Sequence, residues 1–78
     1  MPIDVTVKLF AHYRNGRYET RKETYPEGTR VGDIVRALGV DTENDPVGIL
    51  LVNGRHARWG DVLRDGDTLS IFPMLGGG

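Results

Sequence analysis

Leu69-Ser70-Ile71-Phe72-Pro73-Met74-Leu75-Gly76-Gly77-Gly78 closes the chain, and its reading decides the fold. Leu69 and Ile71 alternate with Ser70 and Phe72, the period of a strand with one buried face. Pro73 has no N–H to give a sheet and is expected to stop the strand there. Three glycines then lead to a carboxylate expected to be the true end of the chain. A segment without Cβ atoms for three residues can enter a channel too narrow for side chains. Fully extended, the five residues after Pro73 would carry the carboxylate on the order of 17 Å from the body. Two readings are open at this point, a tethered reactive carboxylate and a frayed chain end. Either way residues 1–73 are expected to fold as one domain and 74–78 to form a flexible glycine-rich tail.

A strand at the end of a chain needs a partner, and the other end supplies one. Ile3, Val5, Val7 and Leu9 alternate with Asp4, Thr6, Lys8 and Phe10, again a strand with one buried face. Asn15-Gly16 signals a turn, and Tyr18 to Tyr25, polar on both faces, suits an edge strand. Val31, Ile34, Val35 and Leu38 fall at i, i+3, i+4 and i+7, the apolar stripe of a short helix. Thr29 is placed at its N-cap, to within a residue or so, Asp33 in its first turn and Gly39 just past its end. Asp41 to Pro46 reads as a solvated acidic loop. Gly48-Ile49-Leu50-Leu51-Val52 is a continuous apolar run, as in a strand with little solvent on either face. Asn53-Gly54 returns the chain through Arg55 to Arg58, Trp59 to Leu63 is read as a helical turn, and Asp65-Gly66-Asp67 turns into the last strand.

This order gives an α+β domain with a mixed sheet of four or five strands and one main helix, Thr29 to Leu38. The helical crossover permits the first and last strands to pair in parallel. Such pairing in mid-sheet is the β-grasp arrangement, though element order alone admits others. The expected core is Val5, Val7, Leu9, Val31, Ile34, Val35, Leu38, Ile49, Leu51, Leu69 and Ile71.

Composition narrows the function. Seventy-eight residues support one small core and leave little stability to spare. A compact module acting with partners therefore fits better than an enzyme with a deep cleft. The chain has no cysteine, so it has no disulfide, thiolate metal site or sulfur nucleophile of its own. His12 and His56 lack metal-ligand spacing. A net charge of −1 with mixed signs argues against a nucleic-acid partner. No apolar run approaches the roughly 18 residues of a membrane span, and no signal-peptide pattern opens the chain. The expected location is cytoplasmic.

Four segments resemble one family, the ubiquitin-like sulfur carriers, especially the small subunit of molybdopterin synthase and the thiamine-pathway carrier. Val7-Lys8-Leu9-Phe10-Ala11-His12-Tyr13-Arg14 is similar to the family's first strand, which ends in Phe-Ala-x-x-Arg. Val52-Asn53-Gly54 follows, then Leu63-Arg64-Asp65-Gly66-Asp67, similar to its Leu-x-Asp-Gly-Asp turn. Phe72-Pro73-Met74-Leu75-Gly76-Gly77-Gly78 resembles its Phe-Pro-Pro-Val-x-Gly-Gly ending. Each piece is weakly specific; their order and their distance to the C-terminus are jointly specific. Met74 departs from the second proline common in the molybdopterin branch, Asn15 stands where an acidic residue is common, and Gly76 adds a third glycine.

The resemblance implies a ubiquitin-like β-grasp fold and a chemistry carried by Gly78, with Gly76 and Gly77 as the slender arm behind it. A carboxylate, with a pKa of about 3.3–3.7, is an anion at neutral pH and has no good leaving group. The family activates it on a separate adenylating enzyme resembling ubiquitin activators, which holds the ATP and Mg²⁺. A sulfur donor then leaves a thiocarboxylate, which a second enzyme, such as a molybdopterin synthase large subunit, uses. The chain is thus expected to be a co-substrate, not an enzyme, and to bind no cofactor or metal itself. Conjugation of Gly78 to other proteins, or service to thiamine or tRNA thiolation, are the alternatives. Phe10 and Phe72 both take outward positions on strands expected to be adjacent. They are read as a docking patch with Pro73, Met74 and Leu75, Arg14 having an electrostatic or merely solvated role at its side. His12, His56 and Trp59 are read as fillers.

Overall fold

The computed structural model describes residues 1–74. In chain order the elements are β1 (Ile3–Leu9), a 3₁₀ turn (Ala11–Arg14), β2 (Thr20–Tyr25), α1 (Val31–Ala37), β3 (Val47–Val52), β4 (Arg55–His56) and β5 (Thr68–Pro73). One sheet runs in the order β2-β1-β5-β3-β4. β1 and β5 pair in parallel from Thr6 opposite Thr68 to Leu9 opposite Ile71, and the other pairings are antiparallel. Phe10 therefore falls directly beyond Leu9 as Phe72 does beyond Ile71.

Alternation explains the core. Ile3, Val5, Val7 and Leu9 of β1 and Leu69 and Ile71 of β5 are buried together with Val31, Ile34 and Val35 of α1. The expected parity of both central strands and of the helix stripe holds. β3 departs from expectation. Ile49 and Leu51, expected in the core, lie opposite Phe72 and Ser70. That is the outward face, where Ile49 is 43% exposed while Leu50 is buried. The cause is a register shift between Val47 and Ile49, where β3 carries an extra residue against β5. A one-residue slip exchanges the faces of every later side chain. Leu38 is only half-buried, whereas Tyr13 and Leu63, not expected inside, are buried.

Local chemistry corrects several boundaries. The N-cap of α1 is Arg30, whose N–H donates to the Asp33 carboxylate at 2.8 Å. Thr29 instead donates its hydroxyl to the Pro26 carbonyl at 2.7 Å. The first helical N–H groups are satisfied by a loop, Val31 donating to the Asp61 carbonyl and Gly32 to that of Trp59. Trp59–Leu63 is accordingly a turn followed by a bridge to Arg30, not a helix. β4 has only two residues, and β5 runs one residue further than expected, through Pro73. The Asp65-Gly66-Asp67 turn is a structural knot. The Asp65 carboxylate accepts from Asp4 N–H, Gly66 N–H donates to the Asp4 carbonyl, and the Asp67 carboxylate accepts from Arg64 N–H and the Asn53 amide, all at 2.8–2.9 Å.

Two stability results follow. Ile34→Ala, at a site 1% exposed, should lower the free energy of unfolding by about 2–5 kcal/mol in urea titration, while half-buried Leu38→Ala should cost clearly less. Burial, reinforced by the Glu23 carboxylate, pushes the Tyr25 phenol up to about 12. An unfolded tyrosine ionises near 10, so the neutral folded phenol's contribution is complete below that pH and lost as pH rises through about 12. Tyr25→Phe should flatten the alkaline fall in the urea midpoint between those limits. An unchanged slope would contradict it.

Candidate functional site

The register of β1 and β5 carries both phenylalanines to the face opposite the helix. Phe10 and Phe72 stack there, ring centroids 4.0 Å apart and planes 10° from parallel. Each is half-buried. Ile49 stands directly across from Phe72 on β3, half-buried Leu51 follows, and Met74 is 57% exposed. These residues make an apolar stripe at the end of the sheet from which the chain leaves. Contiguous exposed apolar surface on a small soluble domain marks an interface.

Arg14 stands at its rim. Its guanidinium carbon lies 5.4 Å from the Phe10 ring centre, its Nε donates to the Leu9 carbonyl at 2.7 Å, and Glu19 is 3.7 Å away. The cation is held beside the stripe by its own chain. Pro73 is buried at the end of β5, so it shapes the stripe without presenting a surface. Leu75, Gly76, Gly77 and Gly78 lie outside the described residues.

Other residues at this end escaped the sequence reading. Ala11 has a φ of +53°, a conformation uncommon outside glycine. That turn swings the chain off β1 and delivers Tyr13 into the core, its phenol raised above its ordinary value chiefly by burial and then by Asp45. The Tyr13 hydroxyl donates to the Asp45 carbonyl at 2.8 Å, and His12 Nε2 lies 2.7 and 2.9 Å from the two Asp45 carboxylate oxygens. The acidic loop read as merely solvated is thus pinned. Among the described residues no group of three or more His, Cys, Asp or Glu could hold a metal ion, and no helix is long and apolar enough to cross a membrane.

A mixed sheet with parallel β1 and β5 at its centre, one helix on one face and an apolar stripe on the other defines a ubiquitin-like β-grasp protein. The chain belongs to the ThiS family, whose model matches residues 7–78. Among solved structures, a Pyrococcus furiosus protein described as molybdopterin converting factor subunit 1 is 28% identical. It has a TM-score of 0.76, and the match covers 94% of this chain and 99% of that one. SAMP1 of Haloferax volcanii is 27% identical with a TM-score of 0.72, the match covering 96% and 99%. The small archaeal modifier protein 1 of Methanosarcina acetivorans, at 24% identity and a TM-score of 0.72 over 100% and 99%, shares the fold. The chain is therefore a ubiquitin-fold protein of the sulfur-carrier or modifier kind, a class of small non-enzymatic proteins.

Proposed function

We propose that this chain is a cytoplasmic sulfur carrier whose Gly78 carboxylate is adenylated by a partner enzyme and converted to a thiocarboxylate. The observation that carries the reading is the stacked Phe10–Phe72 pair within an apolar stripe, at the root of a tail ending in three glycines. ATP and Mg²⁺ belong to the partner. The carboxylate attacks the α-phosphorus and pyrophosphate leaves. A hydrosulfide-level sulfur then attacks the acyl carbon, the C–S bond forming as the C–O bond to AMP breaks. The resulting sulfur nucleophile, on an arm narrow enough for a second active site, goes to a sulfur-accepting enzyme. Gly76 and Gly77 give the arm its width, and Phe10, Phe72, Ile49, Met74, Leu75 and Arg14 give the partners a grip. Fixing the tail costs about 1–2 kcal/mol per backbone residue, which docking of the stripe offsets.

Molybdopterin or tungstopterin biosynthesis is the favoured destination, supported by Phe72-Pro73 and by the Pyrococcus furiosus neighbour. The likeness to SAMP1 of Haloferax volcanii favours a second reading, conjugation of Gly78 to lysines of other proteins. The test is pyrophosphate exchange into ATP by a ubiquitin-activator-like enzyme from the same cell. The carrier reading expects exchange that slows when Gly78 is removed, and a sulfur-dependent product. An isopeptide bond from Gly78 to target lysines, with no thiocarboxylate donation, would favour the modifier reading instead.

A further inference from the structure

Among the described residues, the last backbone hydrogen bond toward the tail runs from Met74 N–H to the Pro46 carbonyl, 2.9 Å long. Pro46 follows Asp45, whose carbonyl accepts from the hydroxyl of fully buried Tyr13 and whose carboxylate meets His12. Two residues on, Gly48 is the extra residue of β3 between the pairs Val47–Pro73 and Ile49–Phe72. A Cβ built on Gly48 would lie 2.8 Å from the Pro73 carbonyl oxygen and 2.9 Å from Met74 Cα. Only a residue without a side chain lets β3 and the end of β5 approach this closely at that point.

We infer that Asp45–Gly48, tethered to the core by Tyr13, is a clamp that sets the direction in which the chain leaves the sheet at Met74, so that these are positioning residues for the reaction at Gly78. The inference rests on the carrier reading for its chemical consequence. Four residues separate Met74 from the reacting carbon, a lever of about 14 Å when extended. Once a partner holds the tail extended, a change of direction of about 10° at Met74 would move its end by about 2 Å, and a misplacement of about 1 Å can cost a hundredfold in rate. The acidic loop then acts through backbone geometry, not through its charge. Gly48 is exposed and lies outside the stacked aromatic pair, so the clamp can be perturbed without touching the anchor of the docking stripe.

Gly48→Ala forces Pro73 and Met74 to yield by about 0.6 Å to restore ordinary contact. In the full-length protein, amide hydrogen exchange at Met74 should be slow in the wild type and accelerated at least tenfold in Gly48→Ala. With the adenylating enzyme and MgATP, the variant's kcat should fall about tenfold while its KM rises by about threefold at most, because the stacked Phe10–Phe72 pair is untouched although Met74 of the stripe shifts. Tyr13→Phe keeps the buried ring and removes the tether. It should shift both readouts in the same direction by a smaller factor, and it serves alone if Gly48→Ala does not fold. Fast Met74 exchange in the wild type would overturn the clamp. So would retained protection in Gly48→Ala, lost protection with undiminished kcat, or a KM rise matching the kcat loss. A wild type that is never adenylated would overturn the carrier reading, and the clamp would still stand or fall on Met74 exchange, which needs no partner.

Discussion

Phe72→Ala is expected to weaken binding to the adenylating partner by at least about 2 kcal/mol, or about 30-fold in Kd, measured by titration calorimetry. An aromatic at the centre of a desolvated interface is typically worth that much. Its cost to folding should be smaller. The Phe10–Phe72 stack contributes about 0.5–1.5 kcal/mol beyond burial, and each ring is only half-buried. For a domain of this size about 1 kcal/mol moves Tm by about 4–8 °C. Ile34→Ala supplies the contrast, because it removes core packing on the opposite face. It should unfold the protein more readily while leaving the affinity of the folded fraction unchanged. Equal losses of binding and stability in Phe72→Ala would make that ring a core residue and leave the stripe without its anchor.

The aromatic pair was legible because both central strands alternate cleanly and run parallel. Once Leu9 and Ile71 face the core, Phe10 and Phe72 must face away together. Ile49 was not legible, since a run of four apolar residues carries no alternation. Its face is set by the bulge at Gly48, which exists because the end of β5 comes close to β3. Nothing in the local sequence announces that approach. Its consequence is favourable to the functional reading, because the misplaced Ile49 widens the exposed stripe beside Phe72.

Tyr13 was missed for a related reason. Its burial depends on Ala11 adopting a positive φ, and alanine gives no sign of that as glycine would. The helix cap falls at Arg30, within a residue of Thr29, but the Thr29 hydroxyl does not serve it, and the helix start is satisfied from Asp61 and Trp59, more than 25 residues away in the chain. Trp59, read as a filler, packs so tightly on Gly32 that a Cβ there would lie 3.1 Å from its carbonyl oxygen and 3.3 Å from its ring. Periodicity and turn chemistry reveal elements and their faces. Contacts between segments distant in sequence set the bulge, the buried tyrosine and the tail clamp.

The second large effect concerns the reacting group itself. One bulky residue appended after Gly78 turns the glycine carboxylate into an amide and obstructs a channel fitted to glycine. Sulfur transfer by that extended protein should be abolished, with docking through the stripe retained. Removing Gly78 is a milder change. It draws the carboxylate back by about 3.3–3.6 Å, yet leaves a Gly-Gly ending, so slow reaction is expected in place of none. The most direct measurement is the intact mass of the wild-type protein after incubation with its adenylating enzyme, MgATP and a sulfur source. The carrier account predicts a gain of about 16 Da, sulfur for oxygen, confined to the C-terminal peptide. Undiminished sulfur transfer by the extended protein, with the added residue shown by the same mass measurement to be still attached, would contradict it.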